Sequence, residues 1–412
     1  MVNSGDTAFM MVCTALVFLM TPGLGFFYGG LGRRKNVVNN MMAMVAIMGL
    51  GMVMWMLFGY SLVFGGNTLG IIGSLKNIAL TGITADDVTG TIPTLVFVAF
   101  QMTFAVITPA ILTGSVAGRM KFKALFIFVA LWSLLVYYPM AHMVWGEGGL
   151  LGEGWLHSLD FAGGNVVHIS SGVSGFVLCL LLGRRQGYEH KIYRIHNIPF
   201  TMLGMALLWF GWFGFNAGSA GAANGLAGHA FMVTAVAAST ALLSWMLIDV
   251  IAGKKTTLIG ACTGAIAGLV GITPGAGFVP VWAALIIGAL ISPICYFSIK
   301  LIKNKFKFDD ALDAFGCHGI GGIFGGIMTG IFADPRINSM ASKGLIFGET
   351  GQFYAQIISI LISIAVAVVG TLICAAIVKL FTPLRVNKHD ELIGLDMSEH
   401  GEVAYPSYTG LD

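Results

Sequence analysis

The chain is a succession of long apolar runs joined by short polar ones, and that pattern confines it to a membrane. A helix needs about 20 apolar residues to cross a hydrocarbon core of about 30 Å. Such runs occur near 7–31, 37–65, 91–117, 124–144, 161–182, 198–218, 227–251, 256–274, 277–302, 312–333 and 352–381. They are continuous rather than alternating, which favours helices over barrel strands. Only 10% of the 412 residues are charged, whereas a water-solvated domain carries about 25%. The expected fold is an all-α integral membrane protein with eleven transmembrane helices.

The basic residues give an independent check, because Lys and Arg concentrate in cytoplasmic loops. Arg33, Arg34 and Lys35 follow the first run, Arg119, Lys121 and Lys123 the third, and Arg184, Arg185, Lys191 and Arg194 the fifth. Lys254 and Lys255 follow the seventh, while Lys300, Lys303, Lys305 and Lys307 surround the end of the ninth. Lys379, Arg385 and Lys388 follow the last, so 19 of 22 basic residues share one side. Lys76, Arg336 and Lys343 are left opposite, among acids such as Asp86, Asp87, Glu147, Glu153 and Glu349. A missed helix would spoil this bias. The expected orientation is N-terminus outside and C-terminus inside.

Other global features narrow the class. Met1 to Asp6 lacks the basic start of a signal peptide, so the first run is expected to persist as a helix. A net charge of +3 gives no reason to expect a nucleic-acid partner. Cys13, Cys179, Cys262, Cys295, Cys317 and Cys374 lie in or beside apolar stretches without paired spacing, and read as small buried hydrophobes. The division expected is a membrane domain over 1–383 and a polar tail over 384–412.

An internal repeat is visible. The fifth run opens with Asp160-Phe-Ala-Gly-Gly-Asn-Val-Val-His168, and the tenth with Asp310-Ala-Leu-Asp-Ala-Phe-Gly-Cys-His318. Both set a histidine eight residues after an aspartate and follow it with small residues. The first and sixth runs share a glycine–aromatic texture, Gly23-Leu-Gly-Phe-Phe-Tyr-Gly-Gly30 beside Phe210-Gly-Trp-Phe-Gly-Phe-Asn216. Five helices separate the members of each pair, so the halves have opposite orientation, as in inverted-repeat transporters with midplane sites. At 1.5 Å per residue, each histidine lies about 12 Å from its own entry face. Two such depths bring the rings together near the centre of a core of about 30 Å.

Ionisable groups at that depth are costly and mark pathways or cavities. The plain alternative is that each imidazole only bonds across a helix pair. A neutral imidazole has one donor and one acceptor, so a facing pair can share a proton and present its remaining nitrogens to a small polar species. Two histidines alone do not make a metal set, and neither HExxH nor an adjacent carboxylate completes one. No cofactor and no catalytic set is read from the sequence.

The Asp160–His168 stretch, Phe215-Asn-Ala-Gly-Ser219, the Asp310–His318 segment and the tail Gly394-Leu-Asp-Met-Ser-Glu-His-Gly-Glu402 together resemble the ammonium transporter family (Amt/Mep/Rh), its Amt branch in particular. The resemblance covers almost the whole chain. It implies a multi-pass protein of the cell membrane, a homotrimer with one narrow pore per protomer, and ammonium or ammonia as substrate.

The same resemblance implies that His168 and His318 line the pore and that Phe104 and Phe215 stack as a gate. Trp145, Ser219 and Phe104 would form the outer ammonium site, with Asp160 as the carboxylate beneath it. Aromatic faces attract cations by about 0.5–2 kcal/mol, which suits that assignment. Trp145 also reads as an interfacial belt residue, Phe104 and Phe215 as core packing, and Asp160 as an N-cap.

An intact ammonium ion would lose its hydration in an apolar pore, so the expected course is deprotonation near the gate and passage as ammonia, with the proton following separately. The tail resembles the family's regulatory segment, which docks on neighbouring subunits and on PII-type signal proteins. Kept beside this are an ammonium sensor with little flux, a passive Rh-type ammonia channel, and a membrane enzyme using the two histidines as metal or haem ligands.

Overall fold

The computed structural model describes residues 1–189 and 194–406; Lys191 and the end of the tail beyond 406 lie outside the described residues. Eleven helical spans cross the molecule: α1 Ser4–Leu31, α2 Arg34–Phe64, α3 Thr94–Val116, α4 Phe122–Gly154, α5 Gly164–Leu182, α6 Ile198–Gly218, α7 Gly225–Ile251, α8 Leu258–Gly275, α9 Val281–Lys305, α10 Phe315–Phe332 and α11 Gly351–Lys379. Two short tail helices follow, α12 Lys388–Ile393 and α13 Leu395–His400. The chain is an all-α, multi-pass membrane protein.

Side-chain caps start several spans. Asn3 caps α1, Asn197 caps α6, Asn224 caps α7 and Thr257 caps α8, each accepting from backbone N–H groups that the helix leaves unpaired. Between helices, small residues set the spacing, as expected where lipid removes the hydrophobic drive for association. In the α1–α6 pair, a Cβ added to Gly214 would stand 2.8 Å from the Cys13 carbonyl oxygen, and one on Gly23 2.9 Å from the Leu207 Cβ. Gly264 and Gly268 bring α8 equally close to Trp245, Ala241 and Ala237 of α7.

The halves match as an inverted repeat. Both α5 and α10 are among the shortest spans, at 19 and 18 residues, both begin in a wide turn with five-residue hydrogen-bond spacing (Gly164–Ile169 and Phe315–Gly319), and each wide turn contains its histidine. Such turns are rare and collect at functional sites. Both helices begin later than the apolar runs suggest, at 164 rather than 161 and at 315 rather than 312. The aspartates lie upstream of the helices, where their carboxylates take the first free N–H groups.

The non-helical backbone before α5 is buried, and each unpaired polar group there is costly. α11 supplies the partners. Gln356 accepts from the Leu159 N–H at 2.6 Å and donates to the Leu159 carbonyl at 2.8 Å. The Asn165 amide donates to the Ser359 hydroxyl at 2.7 Å.

The N-terminus and the described part of the tail lie on opposite faces. Near the N-terminus, Asp6 accepts from the Thr91 hydroxyl and the Ala223 N–H. The tail folds onto the other face and binds its own chain there. Asp396 accepts from the Val37 and Asn39 N–H groups at 3.0 and 2.8 Å, starting α2. Glu391 accepts from Gln186 N–H and Arg385, Glu399 from Phe122 N–H, and Lys35 donates to the Leu392 carbonyl. Arg119, which reads as a loop cation, is fully buried there and donates to the Asp309 carbonyl at 2.7 Å.

Candidate functional site

A cavity of about 310 Å³ opens on the N-terminal face. Phe104, Trp145 and Ser219 line it, with Asp160 and Glu153 as its acids and no lysine or arginine. Trp145 donates its indole N–H to the Asp160 carbonyl at 2.9 Å, which ties the end of α4 to the turn before α5. The Ser219 hydroxyl, at the end of α6, donates to the Phe215 carbonyl at 2.9 Å, and the residue lines the cavity.

Asp160 does not point at the cavity as a free charge. Its Oδ1 accepts from Gly163 and Gly164 at 2.8 and 2.6 Å, and its Oδ2 from Asn165 and Val166 at 2.7 and 3.2 Å. One buried carboxylate thus closes the whole N-terminus of α5. The bend requires Gly163, whose φ is +119° and whose added Cβ would run into Val167.

Below the cavity an aromatic column descends. Trp145 meets Phe104 edge-on at 5.8 Å, and Phe104 stacks on Phe215 at 4.2 Å with the planes 25° apart. Both phenyl rings are buried and close the floor. Phe215 is followed by His168 at 6.1 Å, whose ring lies nearly parallel to Trp212 at 5.4 Å.

His168 and His318 face each other with their Nδ1 atoms 3.2 Å apart. In a neutral pair one Nδ1 carries the shared proton and the other accepts it, so the outward nitrogens are one acceptor and one donor. The His168 Nε2 has no hydrogen-bond partner among the described residues. Beside the rings lies a second cavity of about 10 Å³ with apolar walls including Ile107, Ile111, Val167, Leu208 and Ile266. That is room for one water-sized molecule.

Two glycines allow the rings to meet. A Cβ on Gly172 would fall on the Gly319 backbone, and one on Gly322 would stand 3.0 Å from the His168 Cβ. Each glycine lies four residues past its own histidine, so each helix presses a bare face against the other's histidine turn.

The structure therefore brings Trp145, Phe104, Phe215, His168 and His318 into one line, with Ser219 and Asp160 at its upper end. Trp212 belongs to that line but is not singled out by the sequence; its spacing of three from Phe215 on α6 was the available signal. It donates its indole N–H to the Thr273 hydroxyl at 2.9 Å. Among the described residues, no third His, Cys, Asp or Glu joins the two imidazoles in a metal-binding group.

Comparison with known proteins places this arrangement. The profile of the Ammonium Transporter Family matches residues 8–405. The chain is 48% identical to the ammonium transporter of Bacillus subtilis, over 97% of this chain and 98% of that one. It is 44% identical to ammonium transporter Amt1 of Archaeoglobus fulgidus, over 98% and 100%. Among solved structures, Saccharomyces cerevisiae Mep2 superposes with a TM-score of 0.85 at 35% identity, covering 91% of this chain and 85% of that one. A structure described as a sensor Amt protein gives 0.87 at 26% identity, covering 96% and 98%. The chain belongs to the Ammonium Transporter Family.

Proposed function

We propose that this chain transports ammonium, taking it up at the Trp145–Phe104–Ser219 cavity and passing it to His168 and His318 as ammonia. The observation that carries this reading is the continuous line from an acid-lined aromatic cavity, through stacked phenyl rings, to an imidazole pair in an apolar space.

The chemistry follows from the surroundings. Aromatic faces and hydroxyl oxygen stabilise ammonium without a full counter-charge. Below the Phe104–Phe215 stack, apolar walls penalise an ion by many kcal/mol and a neutral amine far less. The proton is therefore released above the rings. The donor–acceptor pair of imidazoles binds ammonia in either direction of its hydrogen bonds. Asp160 acts by holding the α5 turn and its carbonyl groups in place, and the proton crosses separately through the histidines.

The same reading makes 1–383 the membrane domain, in the cell membrane with the basic face cytoplasmic. The chain assembles as a homotrimer, and 384–412 is a regulatory segment offered to PII-type signal proteins. The likeness to a sensor Amt structure favours one second reading, ammonium sensing with little flux.

Current from protein-containing liposomes after an ammonium jump separates these. A saturable current that Asp160→Ala abolishes supports transport through this site. Rapid internal alkalinisation without current means net ammonia conduction. Neither signal, with ammonium binding retained, turns the reading to sensing.

A further inference from the structure

The two mouths of the molecule carry opposite charge. The cavity on the N-terminal face has Glu153 and Asp160 in its wall and no lysine or arginine. On the tail face a wider cavity of about 850 Å³ is lined by Ala311, Leu312 and Asp313, just before α10 begins. Its wall includes Arg33, Arg184, Arg185, Arg194, Lys303 and Lys307, against Glu189 and Asp313, with Arg33 donating to the Gln186 carbonyl.

Part of that positive charge is matched. Arg185 is locked onto Asp309 by three bonds of 2.6–2.8 Å. Burial pushes the Asp309 carboxyl up, but Arg185 and Arg119 outweigh it and hold the group below the usual carboxylate range. Arg184 pairs with Glu189, and Lys303 with Asp313 at 2.6 Å. Arg194 and Lys307 form no ion pair with any described residue, and both are exposed on the cavity rim. A cleft lined by one sign of charge concentrates counter-ions and depletes ions of its own sign.

We propose that the basic mouth is an electrostatic rectifier. It lowers the local concentration of ammonium at that face, so the pathway loads ammonium more readily from the acidic mouth while neutral ammonia leaves the basic mouth unhindered. This rests on the transport reading above and adds a direction to it. Lys303 and Asp313 set the neutral part of the wall; Arg194 and Lys307 supply the field.

Two unmatched charges within a Debye length raise the half-saturating ammonium concentration at that face about five-fold at low salt. The field is solvent-facing, so salt removes it: the Debye length falls from about 30 Å at 0.01 M to about 10 Å at 0.1 M.

The test uses native membranes in which every copy points the same way. Right-side-out and inside-out vesicles from the same cells are pulsed with ammonium chloride, and the initial response is recorded against concentration. The expected result is a half-saturation about five-fold higher on the tail face at 10 mM salt, shrinking below two-fold at 300 mM. Arg194→Glu with Lys307→Glu lowers it on that face alone, and the milder pair Arg194→Gln with Lys307→Gln gives about half the shift. Equal half-saturation on both faces at low salt, or a gap indifferent to salt and to both variants, overturns the rectifier and leaves transport standing. No response from either face overturns the transport reading and the rectifier with it.

Discussion

The two histidine-bearing helices, α5 and α10, perform the same task with different parts. α5 is closed by Asp160 alone, which takes four N–H groups, with a glycine at the left-handed position three residues on. α10 is closed by Asp310, which takes two N–H groups (Phe315 and Gly316, 3.0 and 3.2 Å) and the Ser115 hydroxyl at 2.7 Å. Its left-handed position is Asp313, at φ +62°. The α5 turn thus depends on one carboxylate, while the α10 turn shares its closure with α3 and, through the neighbouring Asp309, with Arg185. Equivalent backbones need an equivalent count of satisfied donors, and the sequence can supply them locally or from across the fold.

This difference is open to test. Asp160→Ala leaves four buried N–H groups without an acceptor, each costing about 1–3 kcal/mol. It is expected to produce the largest loss, with transport abolished and thermal stability in detergent lowered more than by any substitution below. Asp310→Ala strands fewer donors and is expected to lower the same melting temperature about half as far. Equal damage from the two would break the comparison.

The left-handed positions sharpen it. Gly163→Ala combines an unfavourable φ with a clash on Val167 and is expected to cost about 1–3 kcal/mol by denaturant titration. Asp313→Gly relieves backbone strain but gives up Lys303, so the expected change is within about 1 kcal/mol. Trp212→Phe, which affects the column between them, removes one indole hydrogen bond. It should cost about 1 kcal/mol of stability, read in the same titration.

The eleven spans were legible in the chain because the bilayer demands length and continuity, and both are properties of a linear sequence. The Asp–His spacing marked both α5 and α10 for the same reason. Their true starts were less legible: a carboxylate that caps four residues ahead looks, in sequence, like the first residue of the helix itself. Arg119 read as a loop charge, because nothing local reveals that Asp309, 190 residues away, covers it. Gln352 and Gln356, four apart in an apolar run, did carry a signal: two amides on one helix face in lipid must have a polar partner. That the partner would be the backbone at Leu159 belongs to the fold alone.

The narrowness of the space beside the imidazoles has a further consequence. With room for one water-sized molecule and walls that glycine contacts keep from spreading, particles cannot overtake one another there. On the transport reading proposed above, movement there is single file, and a molecule entering from one end must wait for its predecessor to leave by the other. Throughput in such a queue is set by the slowest hand-over along the line, however large the reservoirs at either end.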